Sequence, residues 1–242
     1  MIKTRVISTL LWDGRSASVK GRGFKDRRNV GSMMQAVRLC ERREVDELVI
    51  LDVSAGGPRL SEVKEFTAHC FMPVAIGGGV GTVDHIAGLL RSGADKVVIG
   101  SSIFDTNLIS EAAKRFGRQA LVGAVDVKDG QVVTEAGTKN SGLAPLYVAK
   151  ELQDAGVGEI LLTSVDTEGS MEGYDTDLIA EVATGVSVPV VACGGAGSPA
   201  HLLQALRAGA DAVAVGAMFL FTQETPASCK WALFENGFPV RL

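Results

Sequence analysis

Residues 73–101, PVAIGGGVGTVDHIAGLLRSGADKVVIGS, match residues 189–217, PVVACGGAGSPAHLLQALRAGADAVAVGA, without a gap. Pro, Val, a Gly-Gly pair, a further Gly, His, Leu-Arg, Gly-Ala-Asp, Val and Gly coincide. Each copy reads as a short apolar strand, a glycine turn, an amphipathic helix and a second apolar strand. The two copies lie close to half the chain apart. A four-strand unit used twice closes naturally into eight strands, whereas a propeller or solenoid would need a shorter period.

The remaining strands follow the same pattern. Apolar runs near 5–11, 47–53, 73–77, 95–100, 121–126, 158–164, 188–193 and 211–216 are rich in Val, Ile and Leu with little polar alternation. That composition belongs to parallel strands buried on both faces. Amphipathic segments such as Val30–Arg43 and Pro199–Ala208 lie between them. The expected architecture is α/β, a single (β/α)8 barrel spanning 1–242, with an open doubly wound sheet as the rival.

Composition narrows the function classes. The chain has 242 residues, 46% hydrophobic and 21% charged, which supports a large core and argues against disorder. A net charge of −4 gives no reason to expect nucleic acid or an anionic membrane as partner. Cys40, Cys70, Cys193 and Cys229 have no metal-ligand spacing and read as buried thiols of a reducing compartment. His69, His85 and His201 are scattered, so no metal is expected, and no cofactor motif is present. The opening MIKTRVISTLLWDGR is unlike a signal peptide, and no apolar run reaches the length of a membrane span. A cytoplasmic protein is expected.

Strand ends carry the candidate chemistry. The third and fourth strands end in Gly77-Gly78-Gly79 and Gly100-Ser101; the seventh and eighth end in Gly194-Gly195-Ala196-Gly197 and Gly216-Ala217. Glycine lets backbone N–H groups approach an anion, and a following helix N-terminus adds partial positive charge. Barrel enzymes place phosphate sites after strands seven and eight. Two repeat-related turns on opposite sides of one mouth suit a ligand with a phosphate at each end, although a single pair would read as a plain tight turn.

These stretches carry a family likeness. Together with DELVILDVSA, AVDVK, GTKNSG and GEILLTSVDTEGSMEGYDT, they make the chain resemble, along nearly its whole length, the cyclase subunit of imidazole glycerol phosphate synthase. In that family a glutaminase partner makes ammonia, which crosses the barrel to a bisphosphate-like substrate at the mouth. The resemblance assigns a catalytic aspartate to Asp126 and a mouth-loop lysine to Lys20. It assigns one phosphate site to Gly78, Gly79 and Ser101 and the other to Gly169, Gly195 and Gly216. Glu168 stands where the family usually has Asp, and Ala217 where it has a hydroxyl. The other catalytic aspartate falls on Leu11. A general acid and a general base facing each other across a mouth cannot be supplied by a leucine. Asp13 lies beyond the strand end, and Asp52 is the candidate substitute.

Arg5, Glu47, Lys96 and Glu159 each begin a strand, on the face opposite the mouth. From spacing alone they read equally as a stabilising salt-bridge network. The resemblance makes them an ammonia gate, and Asp95 a contact to the glutaminase. Trp12 and Phe24 follow Leu11 and either line the mouth or pack the loop, while Trp231 and Phe234 are expected in the core.

A kept gate with a lost carboxylate resembles an offshoot of the cyclase family. Its members accompany a glutaminase and an ATP-dependent N-acetyl sugar amidotransferase in bacterial surface-polysaccharide synthesis. EVDELVILD, CFMPVAIGGG and the Leu-Leu at 10–11 carry that likeness. It implies a docking and ammonia-conducting subunit with a phosphate-bearing small molecule at its mouth. The alternatives are an authentic cyclase of histidine synthesis and a phosphate barrel that only binds.

Overall fold

The computed structural model describes residues 3–54 and 56–242. Strand β1 (Arg5–Trp12) leads into a hairpin, β2 (Ala17–Arg22) and β3 (Lys25–Ser32), then helix α1 (Met33–Arg42) and β4 (Glu47–Asp52). There follow α2 (Leu60–Thr67), β5 (Val74–Gly77), α3 (Val83–Arg91), β6 (Lys96–Ile99), α4 (Thr106–Phe116) and β7 (Leu121–Lys128). A second excursion, β8 (Gln131–Thr134) and β9 (Lys139–Asn140), precedes α5 (Pro145–Ala155) and β10 (Glu159–Ser164). The chain ends with α6 (Thr176–Gly185), β11 (Val190–Cys193), α7 (Pro199–Arg207), β12 (Ala212–Val215), α8 (Ala217–Phe221) and α9 (Pro226–Glu235).

Eight of these strands pair in parallel in the order β10-β11-β12-β1-β4-β5-β6-β7, and β7 pairs with β10 to close the barrel. The open sheet is thereby excluded. Closure leaves no unpaired edge among the eight strands. Two shells of apolar side chains follow from the period of two. Ile7, Val49, Ala75, Val98, Val122 and Leu161 point inward. Their neighbours Val6, Leu48, Val74, Val97, Leu121 and Ile160 face the helices. The inward row of β1 therefore runs Arg5, Ile7, Thr9, Leu11, from one end of the barrel to the other.

The repeat has a hydrogen-bonded meaning. Asp95 Oδ2 accepts from Val74 N at 2.8 Å, and its mate Asp211 Oδ2 accepts from Val190 N at 2.9 Å. Asp46, in EVDELV, does the same for Val6 N at 2.8 Å. Each aspartate precedes one strand and holds the start of the strand beside it. His85 and His201, also mates, accept through Nδ1 from Gly81 N at 3.3 Å and Gly197 N at 3.2 Å. They close glycine turns; among the described residues no His/Cys/Asp/Glu cluster has a metal-ligand set. Asp211→Ala is expected to lower stability by about 1–2 kcal/mol by stripping Val190 N of its acceptor, and Asp211→Asn by less, in urea titrations of the three proteins.

Two expectations are corrected. Trp231 and Phe234 stack edge to face, but 54% and 52% exposed on the outer face of α9, not in the core. Helix α9 instead buries Cys229, Lys230 and Leu233, and Lys230 Nζ lies 2.8 Å from Asp46 Oδ1. The segment after β1 is not an open loop but the β2–β3 hairpin, so Lys20 is a strand residue, 6% exposed. Among the described residues no helix is long and apolar enough to cross a membrane.

Candidate functional site

The ends of β1, β4, β5, β6, β7, β10, β11 and β12 open into one cavity of about 640 Å³. Both hairpins lean over it. Phe24 at the tip of β2–β3 has φ 63°, and Glu135 and Ala136 beyond β8 have φ 53° and 57°. All three line the cavity. Side-chain residues seldom hold such angles away from sites where geometry matters. The two tips meet: a Cβ on Gly137 would lie 3.4 Å from the Phe24 ring. The β7–β8 turn has a visible cause in sequence. Asp129-Gly130, with φ 49° and 73°, is a two-residue hairpin signal within VDVKDGQVV.

Asp126 lies on the cavity wall, next to Thr163 of β10 in register. Burial pushes its carboxyl up to about 7. A hydrogen bond with the Thr163 side chain opposes that shift, and the charge of Glu168 adds to it. A carboxyl so placed exchanges protons near neutral pH. Leu11 also lines the cavity, packed with Ala17, Val19, Leu51 and Val53 in an apolar patch that leaves it 8% exposed. Position 11 thus presents a hydrocarbon to the same cavity that Asp126 lines.

Neither substitute carboxylate is free. Asp13 Oδ1 accepts from Arg15 N at 2.9 Å and Ala17 N at 3.0 Å, holding the turn into β2. Asp52 does line the cavity, but its Oδ1 accepts from Ser54 N at 2.8 Å and Ser54 Oγ at 2.6 Å. Its other oxygen lies 3.4 Å from Arg59 Nε. Trp12 turns away from the mouth, 1% exposed, edge-on to Phe66 with its Nε1 donating to Arg15 O. Phe24 alone of that pair lines the mouth.

The two glycine turns differ. Gly78, Gly79 and Ser101 all line the cavity. Gly79 needs to be glycine, because its φ is 63° and a Cβ would sit 1.9 Å from Gly56 O. Of the repeat-related set only Gly216 reaches the wall; Gly169 and Gly195 lie outside it. A Cβ on Gly195 would meet Gly173 O at 1.9 Å, and one on Gly216 would meet Lys20 Nζ at 2.8 Å. Lys20 Nζ donates to Glu168 in an ion pair that is almost wholly buried. Arg27, which the sequence did not single out, also lines the cavity.

At the opposite end the four charges close a ring. Arg5 Nη1 lies 2.5 Å from Glu47 Oε2 and 3.2 Å from Glu159 Oε1. Lys96 Nζ lies 2.9 Å from Glu47 Oε1 and 2.8 Å from Glu159 Oε2. Cations and anions alternate, and each carboxylate meets both cations. The two carboxylates raise the Arg5 pKa against the opposing effect of burial. Asp95 is exposed at the same end. Between ring and cavity the barrel interior is the apolar set around Ile7, Val49 and Leu161.

Comparison with known proteins agrees with the architecture. The family model described as histidine biosynthesis protein matches residues 6–225. The chain is 39% identical over 232 residues to a Pseudomonas aeruginosa protein provisionally named imidazole glycerol phosphate synthase subunit hisF2, covering 91% of this chain and 92% of that one. A Campylobacter jejuni protein with the same provisional name is 39% identical over 249 aligned positions, covering all of both chains. Imidazole glycerol phosphate synthase subunit HisF of Hyphomonas neptunium is 39% identical over 252 positions, covering 100% and 99%.

Proposed function

The chain belongs to the histidine biosynthesis protein family, as a barrel of the imidazole glycerol phosphate synthase cyclase-subunit kind, and within it we propose a docking and ammonia-conducting role. A glutaminase binds at the Arg5/Glu47/Lys96/Glu159 end, with Asp95 exposed beside the ring. Ammonia enters there and leaves past Asp126 to an ATP-dependent N-acetyl sugar amidotransferase at the mouth, which makes an acetamidino sugar for surface polysaccharide. The protein acts in the cytoplasm and does not itself close an imidazole ring.

One observation carries this: Leu11 takes the inward place at the mouth on the same cavity as Asp126, while the charge ring at the far end is complete. A leucine neither gives nor takes a proton, so paired acid–base chemistry has one partner. Four semi-buried charges repay their desolvation poorly as a stability device, so their retention calls for another use. The apolar interior suits a small uncharged molecule such as ammonia and disfavours ions.

The test is reconstitution with the glutaminase and the sugar amidotransferase. Lys96→Met removes one of the two cations that bridge Glu47 and Glu159. It is expected to lower glutamine-dependent amidation about tenfold or more. Amidation supplied with free ammonia is expected to stay near wild type. Equal activity on glutamine with and without Lys96 would leave a barrel that only binds phosphate.

Authentic cyclase activity is the second reading, favoured by the equal 39% identity to the Hyphomonas subunit and by an Asp126 carboxyl near 7. Growth of a histidine auxotroph lacking its own cyclase subunit, on receiving this gene, would establish it.

A further inference from the structure

The mouth cavity has a one-sided wall. From the loops after β4, β5 and β6 it takes Ser54, Gly79, Val80 and Ser102 among others. From β11 and β12 and the turns that follow them, among the described residues, it reaches only Cys193 and Gly216.

The β2–β3 hairpin covers the missing sector. In the barrel β12 and β11 separate β1 from β10, yet the hairpin that leaves β1 is fastened to the loop after β10. Lys20 Nζ donates to Glu168 in their buried ion pair, and Gly23 N donates to Glu168 O at 2.9 Å. Arg22 Nη2 lies 3.8 Å from Glu172 Oε1 in the same loop. The two backbones touch as well: a Cβ on Gly169, at φ 74°, would lie 2.4 Å from Gly21 O. On the other flank Arg27 Nη1 donates to Val53 O at 3.2 Å.

These anchors matter because the hairpin has little else to hold it. Only Leu11–Val19 and Trp12–Ser18 pair it with β1, and beyond Val19 it is a two-stranded ribbon. Strand β3 pairs with β2 alone, and six of its eight residues are exposed. A ribbon of two strands with no buried face is marginally stable in water. From Lys20 to Ser32 the only buried residue is Lys20 itself, 6% exposed. A lysine buried in a polar ribbon and matched to one carboxylate on a distant loop has the form of a latch. The pair holds while both partners stay, and loss of either leaves a charge that burial penalises.

We propose that the β2–β3 hairpin is a strap latched across the β11–β12 side of the mouth by the Lys20–Glu168 pair. In the free protein the cavity exchanges its contents past the β4, β5 and β6 loops. Opening the second side requires Lys20 to leave Glu168. Nothing in this depends on ammonia passage: the strap governs access whatever the cavity receives.

Hydrogen exchange of the full chain, read by mass spectrometry on peptides covering residues 17–32, tests it. In the wild type the β2 amides are expected to exchange more than about tenfold slower than an unstructured segment. Trypsin is expected to leave Arg22, Lys25 and Arg28 uncut, although all three are exposed. Glu168→Gln keeps the size of the side chain and removes its charge. Exchange over residues 17–25 is then expected to speed about tenfold or more, with cutting at those three sites, while β5, β6 and β7 exchange as before. Glu168→Asp is expected to fall between. Gly169→Ala pushes the same two segments apart without touching a charge, and is expected to act in the same direction even if Glu168→Gln folds poorly. Wild-type β2 amides exchanging within about tenfold of an unstructured segment would overturn the latch and make the hairpin a free flap. So would Glu168→Gln and Gly169→Ala proteins that keep wild-type exchange in β5–β7 and change the hairpin by less than about threefold. Exchange in the free chain involves neither a glutaminase nor an acceptor, so either result leaves the conduit reading to its own test.

Discussion

Asp126→Asn is expected to make the barrel more stable at pH 8 by about 2–4 kcal/mol, and to make little difference at pH 4. The carboxyl titrates near 7 in the folded protein and at its ordinary 3.8 in the unfolded chain, a rise whose largest cause is burial. Between about pH 4 and 7 the folded state therefore holds a proton that the unfolded state has released. Stability falls as the pH rises across that window and stays low above it. At about 1.4 kcal/mol for each tenfold change, the full shift amounts to about 4 kcal/mol, less whatever local relaxation recovers. An asparagine has the shape of the neutral acid and no charge to bury. For a barrel of this size the gain corresponds to a rise in Tm of roughly 5–15 °C. Urea titrations of both proteins at pH 4, 6 and 8 would show it. Parallel stability curves at all three pH values would mean that Asp126 is hydrated or paired rather than buried.

That stored cost has functional meaning. An ionisable group held where it prefers to be neutral costs stability, and such a cost is met more often at positions that handle a proton than elsewhere, because stability and site chemistry pull apart there. In an ammonia conduit a carboxyl near 7 at the exit can take the proton from ammonium or return it, so that uncharged ammonia reaches the acceptor. The same property in a two-carboxylate mouth would serve ring closure. Asp126 alone therefore does not divide the two readings, and the division falls on position 11.

Much of this was legible because period and glycine placement are local signals. The eight barrel strands lie within a few residues of where Val, Ile and Leu runs place them, since a strand buried on both faces needs a continuous apolar run. The charge ring was legible for a related reason: Arg5, Glu47, Lys96 and Glu159 each interrupt such a run at its first residue, and only the barrel end can accept them. The hairpins were not read. ASVKGRGFKDRRNV is largely polar and alternates only at Ala17 and Val19, too briefly to mark a strand; β2 forms by tertiary pairing with Leu11 and Trp12, and β3 by pairing with β2. Lys20 could be placed at the mouth, but its burial against Glu168 depends on a contact across most of the chain. Asp95 stood out only through the resemblance, as a partner contact, and its bond and that of its mate Asp211 to the neighbouring strand appear only once strand order is known. Trp231 and Phe234 misled because a helix of mixed face, with Lys230 turned inward toward Asp46, breaks the rule that aromatic residues mark the buried side.

Leu11→Asp is expected to cost about 2–4 kcal/mol of stability and to leave ammonia-dependent ring closure on the histidine-pathway ribulose substrate within about tenfold of the wild-type background. The stability loss follows from packing: Leu11 is 8% exposed among Ala17, Val19, Leu51 and Val53, and none of them offers a hydrogen bond to a carboxylate. The kinetic expectation follows from the far end of the cavity. A second carboxylate opposite Asp126 completes the acid–base pair, worth about 10²–10⁴-fold when substrate is correctly held. The Lys20 ammonium lies against the Gly216 turn, and a second phosphate there is expected to displace it before a bisphosphate is correctly held. Adding Glu168→Asp shortens the side chain that draws Lys20 there, and Ala217→Ser supplies a hydroxyl beside the same turn. The triple variant is accordingly expected to exceed Leu11→Asp alone by about 10²-fold. The order of gains separates the causes. If Leu11→Asp by itself yields brisk turnover, the second cradle is open and only the carboxylate was missing. If the wild type already turns over, Leu11 is no obstacle and the chain is a working cyclase. If the triple variant folds and stays silent, the mouth has diverged in more than these three residues, and the β2–β3 hairpin carrying Arg27 becomes the next element to exchange.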